Sequence, residues 1–102
     1  MIVYLENALD FQEIITKDHV LVDFYADWCG PCRMLSPVLE EVDKERPNLT
    51  ILKVDVDNFG ELATQFGIRS IPTLILFKNG NKVGERKGYV AKTPLLNFVD
   101  GK

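Results

Sequence analysis

The stretch from Val20 to Val42 constrains this chain more than any other. Val20-Leu21-Val22-Asp23-Phe24-Tyr25-Ala26 is an apolar, largely β-branched and aromatic run of strand length. From Cys32 the period changes, and Leu35, Val38, Leu39 and Val42 recur at helical spacing. Only Asp27-Trp28-Cys29-Gly30-Pro31 stands between the two patterns, so a buried strand must turn sharply into a helix opened by Cys32. Cys29 is then expected to lie exposed at the helix N-terminus, where unpaired N–H groups and the helix dipole favour a thiolate over a thiol.

The remaining runs alternate in the same way. Ile2 to Leu5 reads as a short first strand, and Asp10 is placed to cap a helix in which Phe11, Ile14 and Ile15 share a face. The helix from Cys32 should reach about Glu45, kinked at Pro37 and ended by Pro47 and Asn48. Ile51 to Val56 forms a third strand, and Asn58 to Phe66 a helix stopped by Gly67. Thr73 to Phe77 and Lys82 to Arg86 flank Asn79-Gly80, a hairpin signal because both central residues of a type I′ turn need positive φ. Thr93 to Val99 closes the chain as a helix with Pro94 at its first position. The order βαβαβαββα, with parallel crossovers first and an antiparallel hairpin last, predicts an α/β fold: a central five-stranded mixed sheet flanked by four helices.

With 102 residues, 46% of them hydrophobic, the chain has room for one core, so residues 1–102 are expected to form a single domain. A net charge of −3 argues against nucleic acid or an anionic membrane surface as a partner. Glu6 and Asp10 interrupt the early hydrophobic pattern, so no secretory signal is expected, and no apolar stretch is long enough to span a membrane. Two cysteines three positions apart are unlike the dispersed cysteines of small secreted scaffolds, which leads to an expected cytoplasmic location.

Three chemistries compete for Cys29 and Cys32. Structural zinc wants four ligands, and the chain offers one histidine, His19, in addition to the two thiols. A purely structural disulfide would close so short a loop that it restrains little of the unfolded chain. Dithiol/disulfide exchange fits better, because a low-pKa thiolate in a tight loop exchanges readily. Asp23 interrupts its apolar run, where a lone carboxylate costs several kcal/mol unless paired or protonated. Lys53 interrupts the neighbouring run in the same manner, so Asp23 is either half of a structural ion pair, a buried proton carrier, or both. Local sequence gives no reason for a cis bond at Ile71-Pro72, since only about 5% of X–Pro bonds in folded proteins are cis.

Phe24-Tyr25-Ala26-Asp27-Trp28-Cys29-Gly30-Pro31-Cys32 with Pro37, then Gly67-Ile68-Arg69-Ser70-Ile71-Pro72-Thr73, then Phe77-Lys78-Asn79-Gly80 and Gly88, resembles the thioredoxin family over almost the whole chain. The resemblance implies a Cys-X-X-Cys thiol of lowered pKa. The resemblance implies a thioredoxin fold and a general protein-disulfide reductase. Cys29 would be the nucleophile, Cys32 the resolving thiol, Asp23 the group that takes the Cys32 proton, and Lys53 its partner. Trp28 would flank the site, although a large aromatic more often serves packing. Gly30 and Pro31 would belong with Trp28 to the substrate-binding surface. Pro72 would be cis and face the cysteines, with the Ile71 backbone pairing an extended client segment that Gly88 allows to approach.

No bound cofactor is implied, because a Cys29–Cys32 disulfide itself carries two electrons. These would come from a separate thioredoxin reductase, implied to be a flavoprotein using NADPH, with a ferredoxin-linked donor as the alternative. Disulfide-containing client proteins are the other implied partners, and a monomer is expected. Tyr25, Ser70, Lys87 and Tyr89 depart from the residues common in bacterial members of the family, which implies a changed preference among clients. The rival readings are a binding or structural subunit on the same fold, and a disulfide oxidase or isomerase. The Gly30-Pro31 pair between the cysteines favours the reductase.

Overall fold

A computed structural model describes residues 1–102. Five strands form one sheet: β1 (Ile2–Tyr4), β2 (His19–Tyr25), β3 (Thr50–Asp55), β4 (Thr73–Lys78) and β5 (Asn81–Lys87). Four helices connect or follow them: α1 (Phe11–Ile15), α2 (Gly30–Glu45), α3 (Gly60–Gln65) and α4 (Lys92–Val99), with a 3₁₀ turn at Ala8–Asp10 leading into α1. The strand order is β1-β3-β2-β4-β5. The β1–β3 and β3–β2 pairs are parallel, and β2–β4 and β4–β5 antiparallel, so the sheet is mixed as expected.

Period-2 alternation divides the core into two layers. Leu21, Ile51, Leu74 and Leu76 pack with Leu35, Leu39, Leu95 and Phe98 on the α2 and α4 side. Val22, Phe24, Leu52, Val54 and Ile75 pack with Phe11 and Ala63 on the α1 and α3 side. Asp23, two residues beyond Leu21, is thereby directed to the side covered by α2.

Local chemistry shifts several boundaries. Asp10 already has helical dihedrals and makes no side-chain cap, so Asn7, in an extended conformation, does the capping, accepting from the Leu9 N–H at 2.9 Å. The long helix begins at Gly30 rather than Cys32, because the Cys29 side chain is its N-cap. It continues through Pro37 as one element. α3 is shorter at both ends than expected, with Asn58 and Phe59 drawn into a turn on the Asp55 carbonyl. Pro94 is the third residue of α4, which starts at Lys92. That position suits proline equally, since the first-turn N–H groups have no intrahelical partner. The hairpin is as expected: Asn79 has φ 51° and Gly80 φ 84°. A bulge between Leu76 and Phe77 leaves Val83 unpaired on β5.

Candidate active site

The site lies where β2 ends and α2 begins. Cys29 has extended dihedrals and caps α2 with its sulfur, which accepts the Cys32 backbone N–H at 3.2 Å. Sulfur is a weak acceptor as a thiol and a strong one as a thiolate, so the same contact stabilises the ionised form after reduction. Cys29 and Cys32 are joined as a disulfide with their Cα atoms 5.2 Å apart. Gly30 and Pro31 fill the first turn of α2, where proline's missing N–H costs nothing.

Cys29 is less open than its position in the sequence implies. It is 5% exposed and Cys32 3% exposed. The two sulfurs pack with Ala26 against Tyr25, Val56 and Ile71, and Cys29 Sγ sits 3.7 Å from the Ile71 carbonyl oxygen. Trp28, in contrast, is 68% exposed and is no core aromatic. One hydrogen bond, from its Nε1 to Asp57 Oδ2 at 2.9 Å, fixes the ring's edge.

The stretch before β4 forms the other wall. The Ile71–Pro72 bond is cis, which the local sequence did not indicate and the family resemblance did. The Thr73 hydroxyl donates to the Ser70 carbonyl at 2.6 Å, and the Gly88 N–H donates to the Pro72 carbonyl at 2.7 Å. Gly88 has φ 84°, a conformation that a side chain would strain. A shallow, mostly apolar cavity of about 220 Å³ opens beside the disulfide, lined by Trp28, Val56, Ala63, Ile68, Ser70 and Ile71 among others. Sequence reading missed Val56, Ala63, Ile68 and Asp57, which belong to three different segments brought together only by the fold. The largest cavity, about 360 Å³ between β5 and the end of α4, is lined by none of these residues.

Beneath the cysteines, Asp23 and Lys53 are register partners on adjacent parallel strands. Asp23 is completely buried, and neither of its carboxylate oxygens has a hydrogen-bond partner. Lys53 Nζ lies 3.8 Å from Asp23 Oδ2, an ion pair too long to be a hydrogen bond. Burial pushes the Asp23 carboxyl up to about 6, and the Lys53 charge opposes that rise without cancelling it. Both readings of this carboxylate, ion pair and proton carrier, are therefore compatible with its surroundings. No group of three or more His, Cys, Asp or Glu side chains is placed to hold a metal ion. No helix is long and apolar enough to cross a membrane.

A family model described as Thioredoxin matches residues 2–101. The chain belongs to the thioredoxin family. It is 48% identical over 90 residues to the thioredoxin of Chlamydia trachomatis, covering 88% of each chain. It is 41% identical over 97 residues to that of Mycoplasmoides gallisepticum, covering 94% of this chain and 97% of the other. Among solved structures, a mutant thioredoxin from Halobacterium salinarum superposes with a TM-score of 0.90 at 38% identity, over 98% of this chain and 88% of that one. A chain from a study of the thiol resolving mechanism in yeast mitochondrial 1-Cys peroxiredoxin via glutathione/thioredoxin systems superposes at 0.91 with 31% identity, over 99% and 95%. The fold is thus the thioredoxin fold. Its cysteine pair makes this thioredoxin-family protein a thiol–disulfide oxidoreductase, with protein disulfides as its clients.

Proposed function

We propose that the chain is a general protein-disulfide reductase in which Cys29 attacks and Cys32 resolves. The observation that carries this order is the capping geometry: Cys29 sulfur, not Cys32 sulfur, receives a helix N-terminal N–H at 3.2 Å. In the reduced protein the Cys29 thiolate attacks one sulfur of a client disulfide and the other client sulfur leaves as thiolate, giving a mixed disulfide. Cys32 then loses its proton to Asp23 and attacks Cys29 Sγ. The bond to the client breaks, the client leaves with both sulfurs reduced, and the Cys29–Cys32 disulfide remains. Lys53 balances the charge on Asp23.

Trp28, Gly30, Pro31, Ile71, Pro72 and Gly88 form the docking surface around the disulfide. An extended client segment lies along the Ile71 backbone, and the apolar cavity beside it takes a client side chain. Lys87 and Tyr89, 65% exposed at the side chain and 46% exposed respectively, flank Gly88 and bias client choice. A separate NADPH-dependent thioredoxin reductase returns two electrons to the disulfide. Residues 1–102 act as one domain and as a monomer, in the cytoplasm.

Reduction of insulin disulfides, supplied with a chemical dithiol, tests the reading. Wild-type protein should accelerate the reaction and Cys29→Ser should abolish it. Cys32→Ser should instead trap a mixed disulfide through Cys29. Trapping through Cys32 in the Cys29→Ser protein, at a comparable rate, would reverse the assigned roles, and no acceleration by wild type would favour a binding subunit.

A further inference from the structure

The Lys53 ammonium is held by more than its charge partner. Its Nζ donates to Ser36 Oγ at 3.0 Å, well inside its 3.8 Å separation from Asp23. It also lies over two aromatic faces, 4.7 Å from the centroid of Tyr25 and 5.5 Å from that of Tyr4, whose rings meet edge to face. Ser36 is one helical turn beyond Cys32 on α2, and both line a cavity of about 170 Å³ together with Lys53, Tyr4, Tyr25 and Arg33. The hydroxyl and the two rings therefore draw the ammonium toward this cavity, and Asp23 behind it keeps two oxygens without a hydrogen bond.

We propose that Ser36 is a positioning residue for the dithiol chemistry: its hydroxyl holds the Lys53 ammonium off the Asp23 carboxylate, which leaves that carboxylate basic enough to take the Cys32 proton. The inference rests on Asp23 as the proton acceptor in the reading above. A direct ammonium–carboxylate hydrogen bond would stabilise the ionised acid and weaken it as a base. The charged and titratable groups around the pair are few. Lys53 comes from β3, Tyr25 from β2, Tyr4 from β1, and Arg33, Glu40 and the reduced Cys32 from α2, with Asp27 and Asp55 acting on Tyr25. Leu74 faces Asp23 from β4 and carries no charge. Lys53 is thus the one group whose movement by an ångström changes the field at Asp23 substantially.

The test is the titration of the Asp23 side-chain carboxyl, followed by carbon NMR in the reduced protein, for wild type, Ser36→Ala and Ser36→Thr. Alanine is the better helix former, so the first variant should fold. With the hydroxyl gone, Lys53 closes on Asp23 and the titration should move down by about one pH unit, while Ser36→Thr restores it. An unmoved titration in Ser36→Ala overturns the inference. Release of a client from its mixed disulfide, measured against pH in parallel, separates the two claims. If its acid limb follows the Asp23 titration in Ser36→Ala and is lost in Asp23→Asn, both stand. If the titration moves while the limb persists unchanged in Asp23→Asn, Ser36 positions Lys53 but Asp23 is not the proton acceptor.

Discussion

Asp23 makes the stability of the fold depend on pH. Its carboxyl is raised to about 6 in the fold, against 3.8 for the free group, so between those values the folded state holds a proton that the unfolded chain has lost. The contribution of Asp23 to stability is then full below about pH 4 and is lost as pH rises through about 6, by about 3 kcal/mol for two units. Asp23→Asn removes the titration, and urea unfolding should show it more stable than wild type at pH 7 by up to that amount, with the gain gone near pH 4. Equal gains at both pH values would mean that packing, not charge, is responsible. Trp28 behaves oppositely. Exposed and held by one hydrogen bond, it can be replaced by alanine with a stability change within about 0.5 kcal/mol, while the KM for a protein disulfide rises several-fold. A loss of stability with unchanged KM would return Trp28 to a packing role. Asp23 and Lys53 were legible in the sequence because a charge inside an apolar run demands a reason. Ser36 and Tyr4 were not, because a serine on a helix and a tyrosine on an edge strand look like ordinary solvated residues until the register brings them to Lys53.

At the level of elements, β5 and α4 meet through a glycine. A Cβ at Gly84 would lie 2.7 Å from Cε1 of Phe98, so the absence of a side chain on β5 is what lets the α4 ring reach the sheet. Arg86 covers the other part of that ring, its guanidinium carbon 4.4 Å from the centroid. Gly84→Ala should cost about 1–3 kcal/mol by overpacking, read as a lowered urea midpoint with no change in insulin reduction per folded molecule. Adding Phe98→Leu should recover part of it, and strict additivity of the two losses would show that the contact is not the cause. The order of elements was legible because β1 to β4 each have an apolar run, the helices have a distinct period, and Asn79-Gly80 announces the hairpin to the polar β5. The helix starts were less so. A cap depends on the dihedrals of the capping residue, and those of Asp10 and Cys29 are decided by what precedes and follows them, not by residue type alone.

Across the whole molecule, the sheet is graded from centre to edge. β2, β3 and β4 are covered on both faces, with Val22, Leu52 and Ile75 fully buried, whereas β1 has three residues and β5 is largely exposed. Amide hydrogen exchange should be slowest in the three central strands and should approach the global unfolding free energy there, with β5 and α3 opening earlier. Comparable protection in β5 and β2 would contradict this grading. The cysteines thus follow directly on a strand covered on both faces, while Ile71, Pro72 and Gly88 come from the segments before β4 and after β5.

Trp28 is the chain's single tryptophan, and it stands in the site instead of the core. Its emission is therefore a built-in optical gauge of the active surface, free of background from any other indole. Titrating a client disulfide onto the Cys32→Ser protein can be followed by that light alone. The same feature makes the signal a poor witness to the core, so denaturation followed by fluorescence should be checked against far-ultraviolet dichroism before its midpoint is taken as that of the fold.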